Sequence, residues 1–398
     1  MVTSLIKPLI FFKLNLVLTK DKVLRFIFLI VVFALGVTPA VAQISAATEK
    51  FPLPVSLNES SGVIYFNNKL ITHNDSGGKN ELYEVDLGSG LVTRTIIISN
   101  ATNIDWEDLT QDDTSIYIAD IGNNISGNRT DLKIYKINKN DFLTADSVMA
   151  ETISFSYSDQ IDFTPSTINS TEWDAEALVS FDANTLIVFT KNWINGTTKG
   201  YLVSKTPGTY VVTPLATALN SLGLITGGTF NTLTGKLFLV GYTRTLSPFV
   251  WESEGFVGHD IFSGTNKQSP LPASFGLEQI EAITFIDHSS YLISAEEFAV
   301  NIFSDYAKVI EFTNNDEALA LENLKSNKAV ILSPNPVHDV LLINSSELVR
   351  IEIYDLKQVK LYEGNSFMVN TSSLSSGIYY VHILLSDHTG VVKKIIQK

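Results

Sequence analysis

Apolar and polar residues alternate with a period of two through most of this chain, in short runs broken by Asn, Gly, Asp and Ser. Such runs predict β-strands with one face buried, joined by turns. The strands recur as a pair: an acidic residue, a short apolar strand, a turn, then a second apolar strand ending in a polar cluster. Glu59 opens the first copy, whose strands Val63–Phe66 and Leu70–His73 end at Asn74 and Asp75. The second runs from Asp105-Trp106-Glu107-Asp108-Leu109 to Ile118-Ala119-Asp120-Ile121-Gly122-Asn123-Asn124, and the third from Asp174-Ala175-Glu176 to Thr190-Lys191-Asn192. A fourth, Ile225–Phe230 with Leu237–Tyr242, keeps both strands without the acid, and the fifth runs from Gln279-Ile280-Glu281 to Ala295-Glu296-Glu297.

Taking positions 59, 107, 176, 227 and 281 as equivalent gives intervals of 48, 69, 51 and 54 residues. One four-stranded propeller blade takes about 40–50 residues, so the expected fold is all-β, a β-propeller of five blades over residues 43–315. The long second interval leaves room for extra strands near Ile153–Tyr157 and hence for six blades instead. The repeat is too long for a β-helix coil and too regular for a sandwich.

The two ends read differently. Lys20, Lys22 and Arg25 precede the apolar run Phe26–Val37, and Ala40 and Ala42 follow it, the order of a secretory signal peptide cleaved after Ala42. The mature protein then carries no transmembrane segment. At the other end, after a linker over 316–328 in which Ala318–Leu324 could form a short helix, residues 329–398 contain about seven short strand candidates, suggesting a small β-sandwich. This segment carries Ser333-Pro334-Asn335-Pro336, Ile351-Glu352-Ile353-Tyr354-Asp355, Leu374-Ser375-Ser376-Gly377-Ile378-Tyr379-Tyr380-Val381 and a final strand with Lys393-Lys394. It resembles the type A sorting domain of the type IX secretion system of Bacteroidetes, departing where Leu356-Lys357-Gln358-Val359 replaces a Gly turn. The resemblance implies passage through the periplasm, engagement of the type IX machinery, and release or attachment at the outer-membrane surface.

Composition narrows the chemistry. A net charge of −14 and the lack of any Lys/Arg run with interleaved aromatics exclude nucleic acid as a natural partner. With no cysteine, the chain has neither disulfides nor thiolate zinc sites nor a cysteine nucleophile. No Gly-x-Ser-x-Gly elbow, phosphate loop or His-Glu-x-x-His occurs.

What remains is the repeated acid. In a propeller the first strands of all blades line a central channel, so Glu59, Glu107, Glu176 and Glu281 would gather at one mouth, with Asp105 and Asp174 nearby. Carboxylates without matching cations suit a hard metal, calcium above zinc or copper, and these four are the candidate metal ligands. Asp120, Asn123, Lys191 and Glu296 are candidate ligand-binding residues beside them. His73, Glu107 and Glu176 are candidate catalytic groups for a calcium-dependent lactone, ester or phosphate hydrolysis. Equally, an acid at a fixed blade position can serve only to accept hydrogen bonds from the neighbouring blade. Trp106, Trp173, Trp193 and Trp251 could stack on sugars or simply pack between blades. The Asp-Trp-Glu-Asp-Leu and Ala-Asp-Ile-Gly-Asn-Asn elements are similar to secreted propellers that accompany type IX sorting domains, and more distantly to esterase-like phytase and lactonase-type propellers. The leading expectation is a surface or secreted binder of an extracellular glycan or protein through its channel face; the alternative is the calcium-dependent hydrolase.

Overall fold

The computed structural model describes residues 44, 47–300, 302–314, 330–345, 348–355, 360–385 and 390–398. The leader with its cleavage point, the segment Ala318–Leu324 and the turn at 356–359 lie outside the described residues. Among those described the chain is all-β apart from short 3-10 turns and one α-helix, Lys139–Thr144, which Asn138 caps by accepting from the backbone of Asn140 at 2.8 Å.

Five sheets each begin with one of the predicted first strands: β1 (Ser60–Phe66), β2 (Trp106–Gln111), β3 (Ala175–Ser180), β4 (Leu224–Asn231) and β5 (Gln279–Phe285). Each pairs antiparallel with the second strand of its own copy, and further strands follow outward. The first strands are buried along nearly their whole length, whereas an outer strand such as Val92–Ile98 alternates. Coverage on both faces is what lets continuous apolar runs replace alternation in the first strands.

Successive sheets pack face to face, and each contact has its own apolar cluster. Ile64, Ile71 and Leu82 of the first sheet meet Leu109, Ile116 and Ile118 of the second. Ala119, Ile134 and Ile153 then meet Leu178, Leu186 and Val188 of the third. Val179, Ile187 and Phe189 meet Ile225, Leu237 and Leu239 of the fourth. Phe238 and Val240 meet Ile283, Tyr291 and Ile293 of the fifth, whose Ala282, Leu292 and Val309 return to Val63, Leu70 and Val85 of the first. Adjacent residues of one strand, such as Val63 and Ile64, thus serve different neighbours, as a period of two requires.

Edges are exchanged between repeats. Glu151–Tyr157 pairs antiparallel with Lys133–Asn138, so the long second interval extends the second sheet instead of starting one of its own. Ser147–Val148 adds in parallel to Val92–Ile98 of the first sheet, and Gly208–Val212, from the third repeat, adds in parallel to Glu151–Tyr157. The N-terminal strand Thr48–Pro52 completes the fifth sheet by pairing with Lys308–Thr313.

At the centre, the Asp108 carboxylate accepts from the backbone N–H of Leu109 (2.8 Å), Leu178 (2.9 Å) and Gly228 (3.2 Å), which belong to β2, β3 and β4. Burial raises its pKa well above the usual carboxylate range, against the lowering effect of those three donors.

The C-terminal segment forms two further sheets. Ile331–Ser333, Val340–Asn344 and Met368–Asn370 make one; Lys360–Gly364, Leu348–Tyr354, Gly377–Leu385 and Gly390–Gln397 make the other. Leu341, Ile343, Ile351, Ile353, Val381 and Ile395 supply their shared core. These seven strands match the number expected from the sequence.

Replacing Asp108 with Ala should cost roughly 3 kcal/mol or more in urea unfolding, because three buried donors lose their acceptor, whereas Asn, which keeps one carbonyl oxygen, should cost less.

Candidate functional site

All five first strands slip register at the same depth. The breaks fall between Ser60 and Val63, Trp106 and Leu109, Ala175 and Ala177, Ile225 and Gly227, and Ile280 and Ala282. A β-bulge of this kind turns the extra residue out of the pleat. The bulged residues are Ser61 with Gly62, Glu107 with Asp108, Glu176, Thr226 and Glu281. The repeated acid is therefore a bulge residue, and the first copy aligns differently from the sequence expectation. Glu59 precedes the bulge and is exposed, and the fourth copy places Thr226 there instead of Gly227.

The bulge residues divide into two chemical kinds. Ser61 donates its hydroxyl to the Glu107 carbonyl at 2.5 Å, and Thr226 donates to the Ile280 carbonyl at 2.6 Å, so each ties its strand to the next. Among the described residues, Glu107, Glu176 and Glu281 accept no backbone N–H of a neighbouring sheet; that work falls to Asp108. The carboxylates gather instead among themselves. Oxygens of Asp75, Asp105 and Glu107 lie within 4.8 Å of one another, and so do those of Glu107, Asp174 and Glu176.

Lys191 is the cation within this group. Its Nζ lies 2.5 Å from Glu176 Oε2 and 3.3 Å from the Tyr242 hydroxyl, with the Trp193 and Tyr242 rings 5.0 and 5.4 Å away. Burial works to lower its pKa, but Glu176 and the other acids outweigh that and keep it charged. Asp174 accepts from Asn123 N and Trp193 Nε1, each at 2.7 Å. Asp120 takes Arg129 Nη2 at 2.8 Å, and Arg129 also holds the Gly122 carbonyl at 2.7 Å, fixing the Asp-Ile-Gly-Asn-Asn turn. Asn123 spans that turn, donating to the Trp173 carbonyl and accepting from Arg129 N. Gln279 donates to Glu296 beside Glu281. Glu107 is only 3% exposed, and Asp75, in the same triad, buries an Oδ1 that has no hydrogen-bond partner among the described residues.

Burial raises the acids first and mutual repulsion adds to it: Asp75 to about 6, Asp105 and Glu281 to about 7, and Glu107, Glu176 and Glu296 upward as well. His73 is fully buried, its ring edge-on to Trp106 and its Nδ1 against the Asn74 carbonyl, and burial lowers it to about 4. The candidates therefore fall into three places: Glu107, Glu176, Lys191 and Glu281 inside the group, Asp120, Asn123 and Glu296 supporting its margin, and Glu59 and the buried His73 outside both carboxylate triads. Asp105, Asp174 and Asp75 join as near neighbours. Gly122 was not singled out by sequence; a Cβ there would overlap the carboxyls of Glu107 and Asp105. Trp106 and Trp251 are buried packing residues, while Trp193 borders the site.

The opposite ends of the first strands line a cavity of about 820 Å³. Tyr65 and Phe66, Phe230 and Phe285 come from β1, β4 and β5, and Phe181 directly follows β3; all are half-buried. Phe181 and Phe230 lie 4.7 Å apart between centroids. Gln111, Asp112, Ser180 and Lys205 interleave with the rings, and Lys139 Nζ sits 4.5 Å above Phe66.

Residues 332–398 match the family described as a secretion system C-terminal sorting domain. A tail of this type IX class indicates export to the cell surface or the extracellular space and interaction with the type IX machinery. Among the described residues no helix is long and apolar enough to cross a membrane. Curated protein sequences provide no match. Solved structures include a GH32 β-fructofuranosidase of Bombyx mori at 10% identity and TM-score 0.39, covering 95% of this chain and 94% of that one. A chain of a mitotic checkpoint complex is similar at 9% identity and TM-score 0.35 (79% and 100% covered), and a glucose dehydrogenase at 9% and 0.36 (67% and 98%). Likenesses this distant assign neither activity nor ligand.

The raised acids fix the sign of a pH effect. Their folded pKa values exceed the ordinary 3.8 and 4.5, so the folded state holds protons that the unfolded chain releases. Their contribution is complete below about 4 and is lost as pH rises through 6 to 7. His73, lowered, acts oppositely between about 4 and 6.5, but as one group against several. In chelator, the thermal midpoint should fall from pH 5 to pH 7.5, and Glu281→Gln should flatten that slope.

Proposed function

We propose that this chain is an exported saccharide-binding protein: a five-bladed β-propeller, delivered by its sorting domain, that holds its ligand in the aromatic cavity at one end of the channel. The cyclic order of the five apolar interfaces and the closure of the fifth sheet by Thr48–Pro52 support the propeller reading.

The observation that carries the binding reading is the lining of the cavity. Half-buried rings of Tyr65, Phe66, Phe181, Phe230 and Phe285 offer apolar faces for sugar C–H groups, while amide, hydroxyl and charged side chains between them can meet sugar hydroxyls. The volume of about 820 Å³ lies within the usual range for small-ligand sites. The charges of its lining nearly balance, Lys139 and Lys205 standing against Asp112, Asp113 and Asp182 with Lys205 on Asp112 at 3.0 Å, which favours a neutral ligand over a strongly charged one. Hydrolysis at the other end would require substrate to reach Glu107 and Glu176, each only 3% exposed.

Titration calorimetry with neutral oligosaccharides of glucose, mannose, galactose and fructose should reveal at least one ligand binding at about 1 mM or tighter, weakened about tenfold by Phe230→Ala. If no sugar binds, or the Phe230 variant binds as tightly as the parent, the reading fails. Deleting residues 329–398 should leave the rest of the protein in the periplasm, as read by immunoblot of cell fractions.

A further inference from the structure

We propose that Asp75, Asp105, Glu107, Asp174 and Glu176 form a site for one hard divalent cation, calcium by preference, at the end of the channel opposite the aromatic cavity. Glu107 belongs to both carboxylate triads, with Asp75 and Asp105 on one side and Asp174 and Glu176 on the other. A single ion beside it would sit within reach of both sets.

The second observation is an orphaned carboxylate oxygen within the group. A carboxylate removed from water is ordinarily satisfied by donors, as Asp108 is by three backbone amides one residue later. Asp75 Oδ1, in the triad with Asp105 and Glu107, is buried and has no hydrogen-bond partner among the described residues, and Glu107, shared by both triads, is 3% exposed. A cation supplies what the protein does not. Gly122 adds a steric reason: any side chain there would overlap the Glu107 and Asp105 carboxyls, so the turn is held close enough to wall the site while leaving the oxygens their space.

The donor set selects the class of ion. All five side chains offer carboxylate oxygen, and neither thiolate nor imidazole joins either triad. Such a set suits calcium, which accepts six to eight oxygens in flexible geometry, better than zinc or copper. Lys191 neutralises Glu176 on one flank, and Trp193 holds Asp174 in place through its 2.7 Å hydrogen bond.

That tryptophan provides a direct reading. With the full chain freed of metal by chelator, terbium(III) should bind as a stand-in for calcium and emit under tryptophan excitation, and added Ca²⁺ should quench the emission competitively. Glu107→Gln should weaken Ca²⁺ binding at least about tenfold while leaving the thermal midpoint in chelator equal or higher, because it removes one of several crowded, mutually repelling carboxylates. Glu151→Gln, in an exposed residue of an outer strand, should leave binding unchanged. Absence of both terbium emission and a calorimetric signal with millimolar Ca²⁺, Mg²⁺ or Mn²⁺ would overturn the proposal. So would binding that survives Glu107→Gln in a folded protein. The saccharide titration is scored on separate residues, so either result stands without the other.

Discussion

The hydrogen bonds converging on Asp108 decide how the rest of the molecule can be arranged. One fully buried carboxylate holds backbone amides from three first strands at once. Ser61 and Thr226 extend the same tie around the cycle with short hydroxyl contacts. Because backbone polar groups at the centre are satisfied by these residues, the neighbouring glutamates are released from structural duty. Their gathering into one buried group then becomes a property to be explained by function.

The division between structural and free acids was only half legible in the sequence. The spacing of Glu107, Glu176 and Glu281 and the paired apolar runs were visible because each copy repeats them. Asp108 was hidden beside Glu107, since two adjacent acids in a strand give no indication which one turns inward. A bulge also interrupts the alternation by which faces are read, and that is why Glu59 stood in for Ser61 and Gly62, and Gly227 for Thr226. Gly122 carried no signal beyond turn chemistry; its necessity comes from side chains fifteen and more residues earlier.

The outer strands were legible as strands but not as partners. Ser147–Val148 and Gly208–Val212 leave their own repeats for the edge of the preceding one, and nothing local in an apolar run records which edge it will join. The aromatic cavity was equally hidden. Its rings stand at the far ends of the first strands, and only the cyclic packing of the sheets brings Tyr65, Phe181, Phe230 and Phe285 around one space. The two ends of the first strands thus differ in kind: one is crowded with buried charge, the other opens on an aromatic cavity.

The pairing of Thr48–Pro52 with Lys308–Thr313 joins segments that are nearly the whole domain apart, as in the Lys50–Glu311 ion pair at 2.6 Å. No disulfide can secure that junction in a chain without cysteine. The last sheet therefore stays incomplete until residues at both ends of the domain have been synthesised, a contact of long sequence separation that slows folding. Outside the cell the same junction is a point of exposure. A peptidase trimming a few residues past the start of the domain would strip the covering strand from Lys308–Thr313 and leave an unpaired edge, making the lifetime of the protein depend on how well its first strand is kept from the enzymes around it.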